Sequence, residues 1–338
     1  MLTVASARWG WCWRTVRQAI MPSLVADIGG SNARFAWLET PASRPAHVRQ
    51  FAVAAHAGLV PAAQAYLTEL RGLLGADYIA PTSAALAVAT AVTADEVLFT
   101  NSAWRFSQAQ TRAALGLEKL VVLNDFEALA LALPKLDATQ ARAHANMPAA
   151  DGPMAVIGPG TGLGVAAVIP TAHGWQAIAG EGGHATLAAA DDFESELLQV
   201  VRGSFAHVSA ERLLSGIGLP LLHSAVCTVS GLPLQRTMQA QDIVAEGLAG
   251  EPACEKTLFT FCALLGGFAG NVALTFGARG GVFIGGGIVP RLGELFFRSA
   301  FRDRFEAKGR FGTYLQSIPT ALITDTLVAL SGAAAALV

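Results

Sequence analysis

The 338-residue chain lacks long runs of charge of one sign, and its formal net charge is -2. A protein that binds nucleic acid through the phosphate backbone needs a basic face, and the sequence shows none. The four cysteines, Cys12, Cys227, Cys254 and Cys262, have neither metal-finger nor redox spacing. We therefore expect reduced thiols, as in a cytoplasmic protein, and no nucleic-acid partner.

The first 21 residues lack the clean apolar core and the small-residue cleavage site of a secretory signal. Tryptophan and arginine interleave there, and Met21 comes shortly before the first clear strand pattern, Leu24 to Ile28. We predict that residues 1–21 are an extension outside the fold.

One apolar run without charge, Thr257 to Phe276, approaches the length of a membrane-spanning helix. The sequence contains no second run of this kind, and Asn271 would need a partner in lipid. Three glycines in the run favour close packing against a neighbouring element. We predict a buried helix and no membrane partner; the alternative is a membrane protein linked to transport.

Helix and strand patterns alternate along the chain, which indicates an α/β protein long enough for two lobes. The patterns predict strands over residues 23–28, 33–38, 48–53, 83–88, 119–123, 154–157, 165–169 and 281–284. They predict helices over residues 58–74, 107–115 and 126–133, and mostly helix over 191–276. A strand, a glycine turn and a second strand occur early in each half, which is an architectural echo rather than a sequence repeat. Residues 134–152 look like a surface connection.

The first of these glycine turns is the most informative segment, and it contains no lysine. An apolar strand leads into Asp27 and the paired Gly29 and Gly30, and Ser31 and Asn32 follow. Backbone N–H groups in such a turn bind phosphate, with a metal ion sharing the charge. The alternative is an ordinary β-hairpin that uses glycine for positive φ, but such a hairpin needs neither the aspartate nor the asparagine.

Two further glycine clusters follow. The segment Gly158 to Gly164 lacks the Gly-Lys-Ser/Thr of a P-loop, and its spacing is not that of a dinucleotide fingerprint. Facing the first turn, it would clamp one polyphosphate, with Thr161 adding a hydroxyl donor. The segment Gly285 to Gly287 offers bare backbone to a flat aromatic group such as adenine; the alternative is a flexible corner between strand and helix.

Polar side chains form a third pattern: Asn101, Asn124, Asp125, Glu181, His184 and Glu211. Asn124 and Asp125 follow a predicted buried strand, where the sites of α/β folds collect. Carboxylates and amides with few cations suit a neutral, polyhydroxylated ligand, because carboxylates accept hydroxyl groups and amides both donate and accept. Three of these residues also have a plainer explanation: a turn for Asn101, a helix cap for Asp125 and a helix dipole for Glu211.

Taken together, these motifs resemble the bacterial glucokinase family, whose members share the fold of hexokinases and actin-type ATPases. The resemblance runs from about Leu24 to the C-terminus. It rests on six segments in the family's order: Asp27–Arg34, Leu123–Phe126, Gly158–Gly164, Gly180–His184, His207–Arg212 and Phe283–Pro290. Ser31 stands where threonine is usual, which keeps the hydroxyl, Pro159 stiffens the second turn, and residues 1–20 have no counterpart.

The resemblance implies a two-lobed, actin-like ATPase (ribonuclease H-like) α/β fold around a cleft. The small domain would comprise residues 22–123 plus about 318–338, and the large domain residues 124–317. Asp125 matches the catalytic base. The glucose contacts match Asn101, Asn124, Asp125, Glu181, His184 and Glu211. The ATP contacts match Ala26, Asp27, Ile28, Gly29, Gly30, Ser31, Gly160, Thr161 and Gly162, to which the third glycine cluster adds Gly286.

The resemblance also implies the reaction, which is transfer of phosphate from ATP, with Mg²⁺, to the 6-hydroxyl of glucose by a cytoplasmic homodimer. Asp27 would orient metal-bound water, and we predict no direct protein ligand to the metal. Two alternatives stay open. One is a kinase of the same fold for another hexose, and the other is a non-catalytic regulator that binds sugar and ATP.

Overall fold

The computed structural model describes residues 21–41, 43–99, 102–234 and 236–338. The predicted N-terminal extension, apart from Met21, and the predicted sugar contact Asn101 both lie outside the described residues. The first elements in chain order are β1 (Ser23–Ile28), β2 (Asn32–Leu38), β3 (Ala46–Ala52), α1 (Leu59–Leu74), β4 (Ser83–Val88), β5 (Glu96–Leu98), β6 (Arg105–Ser107), α2 (Gln108–Ala114) and β7 (Lys119–Asn124).

Within these residues, a five-stranded sheet has the order β3-β2-β1-β4-β7, and β5 and β6 pair separately. The first three strands form an antiparallel meander, whereas β4 and β7 run parallel to β1. The register places Ile28 level with Val88, and Val88 level with Asn124. The carboxyl ends of three strands therefore meet at one edge, which brings the first glycine turn and Asn124–Asp125 together.

The remaining elements are α3 (Asp125–Ala132), β8 (Ala141–Ala143), β9 (Met154–Pro159), β10 (Leu163–Thr171), β11 (Gly174–Gly180), α4 (Asp192–Arg202), α5 (Leu219–Ser230), α6 (Ala240–Leu248), α7 (Pro252–Phe276), β12 (Gly281–Ile284), α8 (Val289–Leu292), α9 (Glu294–Arg298), α10 (Phe301–Glu306), α11 (Gly312–Gln316), β13 (Thr320–Ile323) and α12 (Val328–Ala335). The second sheet has the order β11-β10-β9-β12-β13-β8. Apart from the added β8, it repeats the first sheet: an antiparallel meander, β9 to β11, followed by the parallel strands β12 and β13. The sequence analysis predicted that a strand, a glycine turn and a second strand occur early in each half. In the structure this similarity extends to the strand order of the two sheets.

Helices α3 and α12 lie between the two sheets. On one side, residues of α3 such as Ala130 share an apolar cluster with Val156 and Phe283 of the second sheet. On the other, Leu330 and Ala333 of α12 share a cluster with strands of the first sheet. The two helices are in close contact, because a Cβ added at Gly332 would lie 1.6 Å from the Ala128 carbonyl oxygen.

The C-terminal part of the chain leaves the second sheet for the first sheet later than the expected boundary at about residue 318. β13 pairs in parallel with β12, so residues 320–323 lie in the second sheet, and the chain returns to the first sheet only with α12. The predicted boundary near residue 318 therefore falls ahead of a strand of the second sheet. The predicted connection over residues 134–152 also contains β8, which is too short to give a periodic pattern and pairs with β13.

Helix α7 contains the apolar run that approached the length of a membrane span. It passes the length and hydropathy test for a spanning helix, but 72% of its most apolar window is buried inside the fold. A Cβ at Gly266 would lie 2.1 Å from Phe301 O, and one at Gly270 would lie 2.5 Å from Phe305 O. These two glycines admit α10, whereas a Cβ at Gly267 would meet nothing within 4 Å. As predicted, α7 is a buried core helix.

Candidate active site

Asp125 is the first residue of α3, at the edge where the parallel strands of the first sheet end. The helix cap is its neighbour Asn124, whose Oδ1 accepts from the Phe126 N–H at 2.9 Å and whose Nδ2 donates to Thr90 O at 3.2 Å. Asp125 Oδ1 also accepts from the Phe126 N–H at 3.0 Å. Because Asn124 fills the capping position, helix capping does not by itself account for the carboxylate of Asp125.

The environment of Asp125 favours its protonated form. Burial, followed by the nearby negative charge of Asp27, raises the pKa of Asp125 to about 7. Hydrogen bonds from the Phe126 N–H and from Asn124 act in the opposite direction and are weaker. A carboxyl group with a pKa near neutrality is well matched to accept a proton from a hydroxyl group at physiological pH.

Asp27, near the end of β1, is paired with a cation from the adjacent strand. Its Oδ2 lies 3.1 Å from Arg34 Nη1, and the two residues are directly opposite in the register of β1 and β2. Arg34 Nε also donates to Gln50 Oε1 at 3.1 Å, and Gln50 Nε2 donates to Asn32 Oδ1 at 3.1 Å. Burial raises the pKa of Asp27, and the charge of Arg34 opposes that shift. The network fixes one carboxylate oxygen of Asp27 and leaves Oδ1 without a hydrogen bond from Arg34.

The first glycine turn does not depend on glycine for its shape. Neither Gly29 nor Gly30 has a positive φ, and a Cβ at Gly29 would meet only Asn32 O, at 3.7 Å. The Gly29 N–H donates to that same carbonyl at 2.9 Å. The alternative of an ordinary β-hairpin rested on a need for positive φ, and that need is not present at these two glycines. The glycines leave the turn without side chains, although the backbone conformation does not require them. Two residues of the predicted ATP stretch, Ala26 and Ile28, are fully buried in the core of the first lobe and expose no surface to a ligand in this structure.

The second glycine turn joins β9 to β10, where Gly158 and Gly164 are opposite each other in the register. The ring of Phe126 lies across this pair: a Cβ at Gly158 would come within 2.4 Å of the ring, and one at Gly164 within 2.1 Å. At the tip, the Gly160 N–H donates to Gly162 O at 2.8 Å, and a Cβ at Gly160 would meet nothing within 4 Å. Phe126, the residue next to Asp125, thus packs against the base of the hairpin, while the tip stays open.

The third glycine cluster packs against this hairpin. Gly286 has a φ of +76°, and a Cβ there would lie 2.3 Å from Pro159 O. Hydrogen bonds from Gly285 N to Ile157 O and from Ile288 N to Pro159 O join the cluster to β9. Backbone conformation and close packing therefore require glycine at position 286, as the strand-to-helix corner alternative predicts.

A cavity of about 500 Å³ opens beside the hairpin tip. Gly160, Thr161, Gly216, Gly287 and Ile288 form one part of its wall, and residues of α6 form an apolar second part that includes Val244 and Leu248. The sequence analysis missed the α6 wall, because nothing in an amphipathic helix distinguishes a ligand-facing apolar side from a core-facing one. The second turn and this cavity together form a slot with bare backbone at one end and apolar side chains at the other.

Three of the predicted sugar contacts lie on the second lobe. Glu181 is exposed and precedes a short 3₁₀ turn that contains His184. A short antiparallel pairing brings Glu211 beside this turn: the Glu211 N–H donates to Gly183 O at 2.8 Å, and the Ala210 N–H donates to Ala185 O at 2.9 Å. His184 Nε2 consequently lies 3.7 Å from Glu211 Oε1.

Glu211 also contacts the second glycine turn. Its Oε2 accepts from the Leu163 N–H at 2.8 Å, and Gly162 leaves room for it, because a Cβ there would lie 2.5 Å from the same oxygen. The helix-dipole explanation for Glu211 is wrong, since residues 211–213 form turns and α5 begins only at Leu219. The sequence could not reveal this contact, which joins residues from two distant segments.

The whole chain resembles solved and curated proteins. A glucokinase from an Antarctic psychrotroph superposes with a TM-score of 0.86 and is 38% identical, over 94% of this chain and 98% of that one. The duplicated sheet topology, the interleaved α3 and α12 and the paired glycine turns define a two-lobed α/β sugar kinase with the actin-like ATPase fold.

The particular family follows from the sequence comparisons. The family model described as Glucokinase matches residues 24–338. The glucokinase of Aromatoleum aromaticum is 49% identical over 94% of both chains, and that of Chromobacterium violaceum is 48% identical over 93% of this chain and 88% of its own. The chain belongs to the glucokinase family.

Proposed function

We propose that the protein transfers the γ-phosphoryl group of ATP to the 6-hydroxyl of D-glucose, with Asp125 as the general base. The observation that carries the proposal is the position of Asp125, which heads α3 beside Asp27 and is fixed to the second glycine turn through Phe126. A hydroxyl group is a poor nucleophile at neutral pH. Asp125 orients the 6-hydroxyl and accepts its proton as the bond to phosphorus forms.

The sugar lies between the two lobes in this proposal. Asn124 and Asp125 contact it from the head of α3, Glu181, His184 and Glu211 contact it from the second lobe, and Asn101 completes the set. A sugar with a missing or inverted hydroxyl leaves one of these polar groups unpaired once the lobes close on it, at a cost of ~1–3 kcal/mol per group. We therefore expect mannose and galactose to be poorer substrates than glucose, and a panel of hexoses in a coupled assay tests that order.

ATP lies along the slot described above. The phosphates lie against the two turns, at residues 26–31 and 160–162, where the backbone N–H groups that are not used within the turns themselves bind them, and Thr161 adds a hydroxyl group. The base enters the apolar cavity lined by α6, Gly287 and Ile288, so that Gly286 supports the site from behind the hairpin. Fixed dipoles of this kind stabilise negative charge that spreads over the transferred group.

The donor set of the site suits Mg²⁺. Asp27 provides a carboxylate oxygen, the kind of group that Mg²⁺ and its bound waters prefer, and Arg34 occupies only one oxygen of Asp27. Asp27 is best placed to hold a water of the ion rather than the ion itself. When bound, Mg²⁺ neutralises part of the charge on the phosphates.

The proposal extends to the whole molecule. Residues 22–123 and the segment from about 324 form the small lobe, residues 124–323 form the large lobe, and closure between them excludes water from the phosphate. We further propose a homodimer in the cytoplasm, as the family resemblance implies. Light scattering on the purified protein measures the assembly state, and a monomer at micromolar concentration would contradict the dimer.

The test is ADP release from ATP and Mg²⁺ with glucose, beside a reaction without sugar. We expect fast release only with glucose, and a fall of at least ~10²-fold in kcat for Asp125→Asn, with glucose binding retained in calorimetry. Glu127→Gln, in the same first turn of α3, is the matched control and keeps the wild-type rate. Binding of glucose and ATP without turnover would favour the regulator, and faster turnover of another hexose would favour a different sugar kinase.

A further inference from the structure

One segment of the second lobe contacts both halves of the site. Residues 211–218 are here called the strap. The strap begins at Glu211, which lies beside His184, and its other end contacts the second glycine turn. At the far end of the strap, the Gly216 N–H donates to Gly160 O at 2.8 Å. The strap itself is tightly folded, because a Cβ at Gly218 would lie 2.4 Å from Arg212 O.

The carboxylate of Glu211 is the second attachment of the strap to this turn. Oε2 accepts from the Leu163 N–H at 2.8 Å, three residues along the turn from the Gly160 carbonyl that Gly216 contacts. Among the residues that the structure describes, none donates a hydrogen bond to Oε1, which lies 3.7 Å from His184 Nε2. One oxygen of Glu211 therefore fixes the turn, while the other faces the side where the sugar lies in the proposed function.

We propose that Glu211 is a positioning residue that couples sugar binding to ATP binding, because one carboxylate orients both a sugar hydroxyl and the second phosphate turn. The inference rests on the proposed function and adds to it a link between the two substrates. A sugar hydroxyl that donates to Oε1 fixes the rotamer of Glu211. The same rotamer holds the Leu163 N–H, and with it the backbone of Gly160 to Gly162, in the geometry that accepts phosphate.

Coupling of this kind is reciprocal and measurable. If glucose raises the affinity for nucleotide by some factor, nucleotide must raise the affinity for glucose by the same factor. If Glu211 contacted the sugar alone, removing that contact would leave the affinity of the sugar-free protein for nucleotide unchanged. The coupling factor, rather than the turnover rate, therefore distinguishes a positioning role from a simple sugar contact.

The test uses Gly162→Ala in the full-length protein. The added methyl group displaces only the flexible end of Glu211, since a Cβ there would lie 2.5 Å from Oε2, and the fold is retained. Gly160→Ala is the matched control, because it adds the same methyl group to the same turn in open space. Calorimetry with a non-hydrolysable ATP analogue and Mg²⁺, with and without saturating glucose, gives the coupling factor of each protein.

We expect a coupling factor of at least ~5 in the wild-type protein, and a factor of about 1 in Gly162→Ala. Gly160→Ala should keep the wild-type factor even if its nucleotide affinity changes, because the change is the same with and without glucose. A wild-type factor retained in Gly162→Ala, or a factor near 1 in a wild-type protein that phosphorylates glucose, overturns the inference while the proposed function stands. A wild-type protein that releases no ADP with glucose overturns both.

A second pair of variants separates the two attachments. Glu211→Asp shortens the side chain by one methylene, so that the carboxylate no longer reaches both partners, and we expect nucleotide affinity to fall even without sugar. His184→Ala alters the same wall but not the turn, and we expect it to weaken glucose binding without changing nucleotide affinity in the sugar-free protein. Equal behaviour of the two variants would contradict the positioning role.

Discussion

At the scale of single residues, the site depends on the protonation of Asp125. Burial and the negative charge of Asp27 raise its pKa to about 7, so the group changes its charge within the physiological range. In the proposed mechanism, only the ionised carboxylate accepts a proton from the sugar hydroxyl. The rate of the free enzyme should therefore follow the ionised fraction of this one side chain.

The pH dependence of kcat/KM tests this consequence. Because the pKa of Asp125 is raised to about 7, the group is protonated below that pH and ionised above it. We expect kcat/KM to fall about tenfold per pH unit below the apparent pKa and to level off above it. Glu127→Gln serves as the control and keeps the same profile. A flat profile between pH 5.5 and 8, measured with glucose and Mg²⁺-ATP both well below saturation so that the free enzyme is observed, would contradict the assignment; both limits are about 1 to 1.5 units from the expected midpoint.

Part of the candidate site could be predicted from the sequence. Asp125 and the two glycine turns follow from strand patterns, because the ends of parallel strands are where sites of α/β folds form. The contacts of Phe126 with Gly158 and Gly164, and of Glu211 with Leu163, could not be predicted. They join segments that are far apart in the chain, and no local pattern of residues records such a contact.

At the scale of elements, the long and regular helices and strands were predictable and the short or irregular ones were not. β1, β4 and α1 lie within one residue of their predicted limits, because their apolar periodicity is clear. β8 has three residues and β13 has four, and neither has the flanking glycines that marked the equally short β12. β11 is mostly exposed at the edge of its sheet, so it lacks the apolar alternation of a half-buried strand.

The contact between α3 and α12 makes a prediction about stability. In Gly332→Ala, the new Cβ would lie 1.6 Å from Ala128 O, so α12 must move away from the helix that carries Asp125. Overpacking of this kind costs typically ~1–3 kcal/mol. We expect a lower urea midpoint in equilibrium unfolding, together with a lower kcat.

Gly267→Ala is the matched control for that measurement. It places the same methyl group in the long helix α7, where a Cβ meets nothing within 4 Å. The substitution should be neutral or stabilising by up to ~1 kcal/mol, because alanine is a better helix former than glycine. Equal midpoints for the two variants would show that the α3–α12 contact does not limit stability.

At the scale of the whole molecule, the duplicated sheets form two lobes, and the proposed function requires a movement between them. In that proposal water competes with the sugar for the phosphoryl group, and closure of the lobes on the sugar excludes it. The sequence indicated the duplication through its two glycine turns. The point at which the chain returns to the first sheet became visible only in the pairing of β13 with β12.

Small-angle X-ray scattering measures the closure. We expect the radius of gyration to fall when glucose is added at saturation, whereas mannitol at the same concentration, which matches the solvent contrast, leaves it unchanged. The Asp125→Asn variant should compact like the wild-type protein, because closure depends on binding and not on the chemical step. An unchanged radius with glucose would contradict closure of the lobes on the sugar.

A crystal structure with glucose and a non-hydrolysable ATP analogue gives the decisive distance, that between the carboxylate of Asp125 and the 6-oxygen of glucose. We predict a separation of about 2.6–3.2 Å, with the phosphates against the backbone of both glycine turns. A sugar whose 6-oxygen lies beyond the reach of Asp125 and a bridging water, or a nucleotide bound away from either turn, would contradict the proposed mechanism.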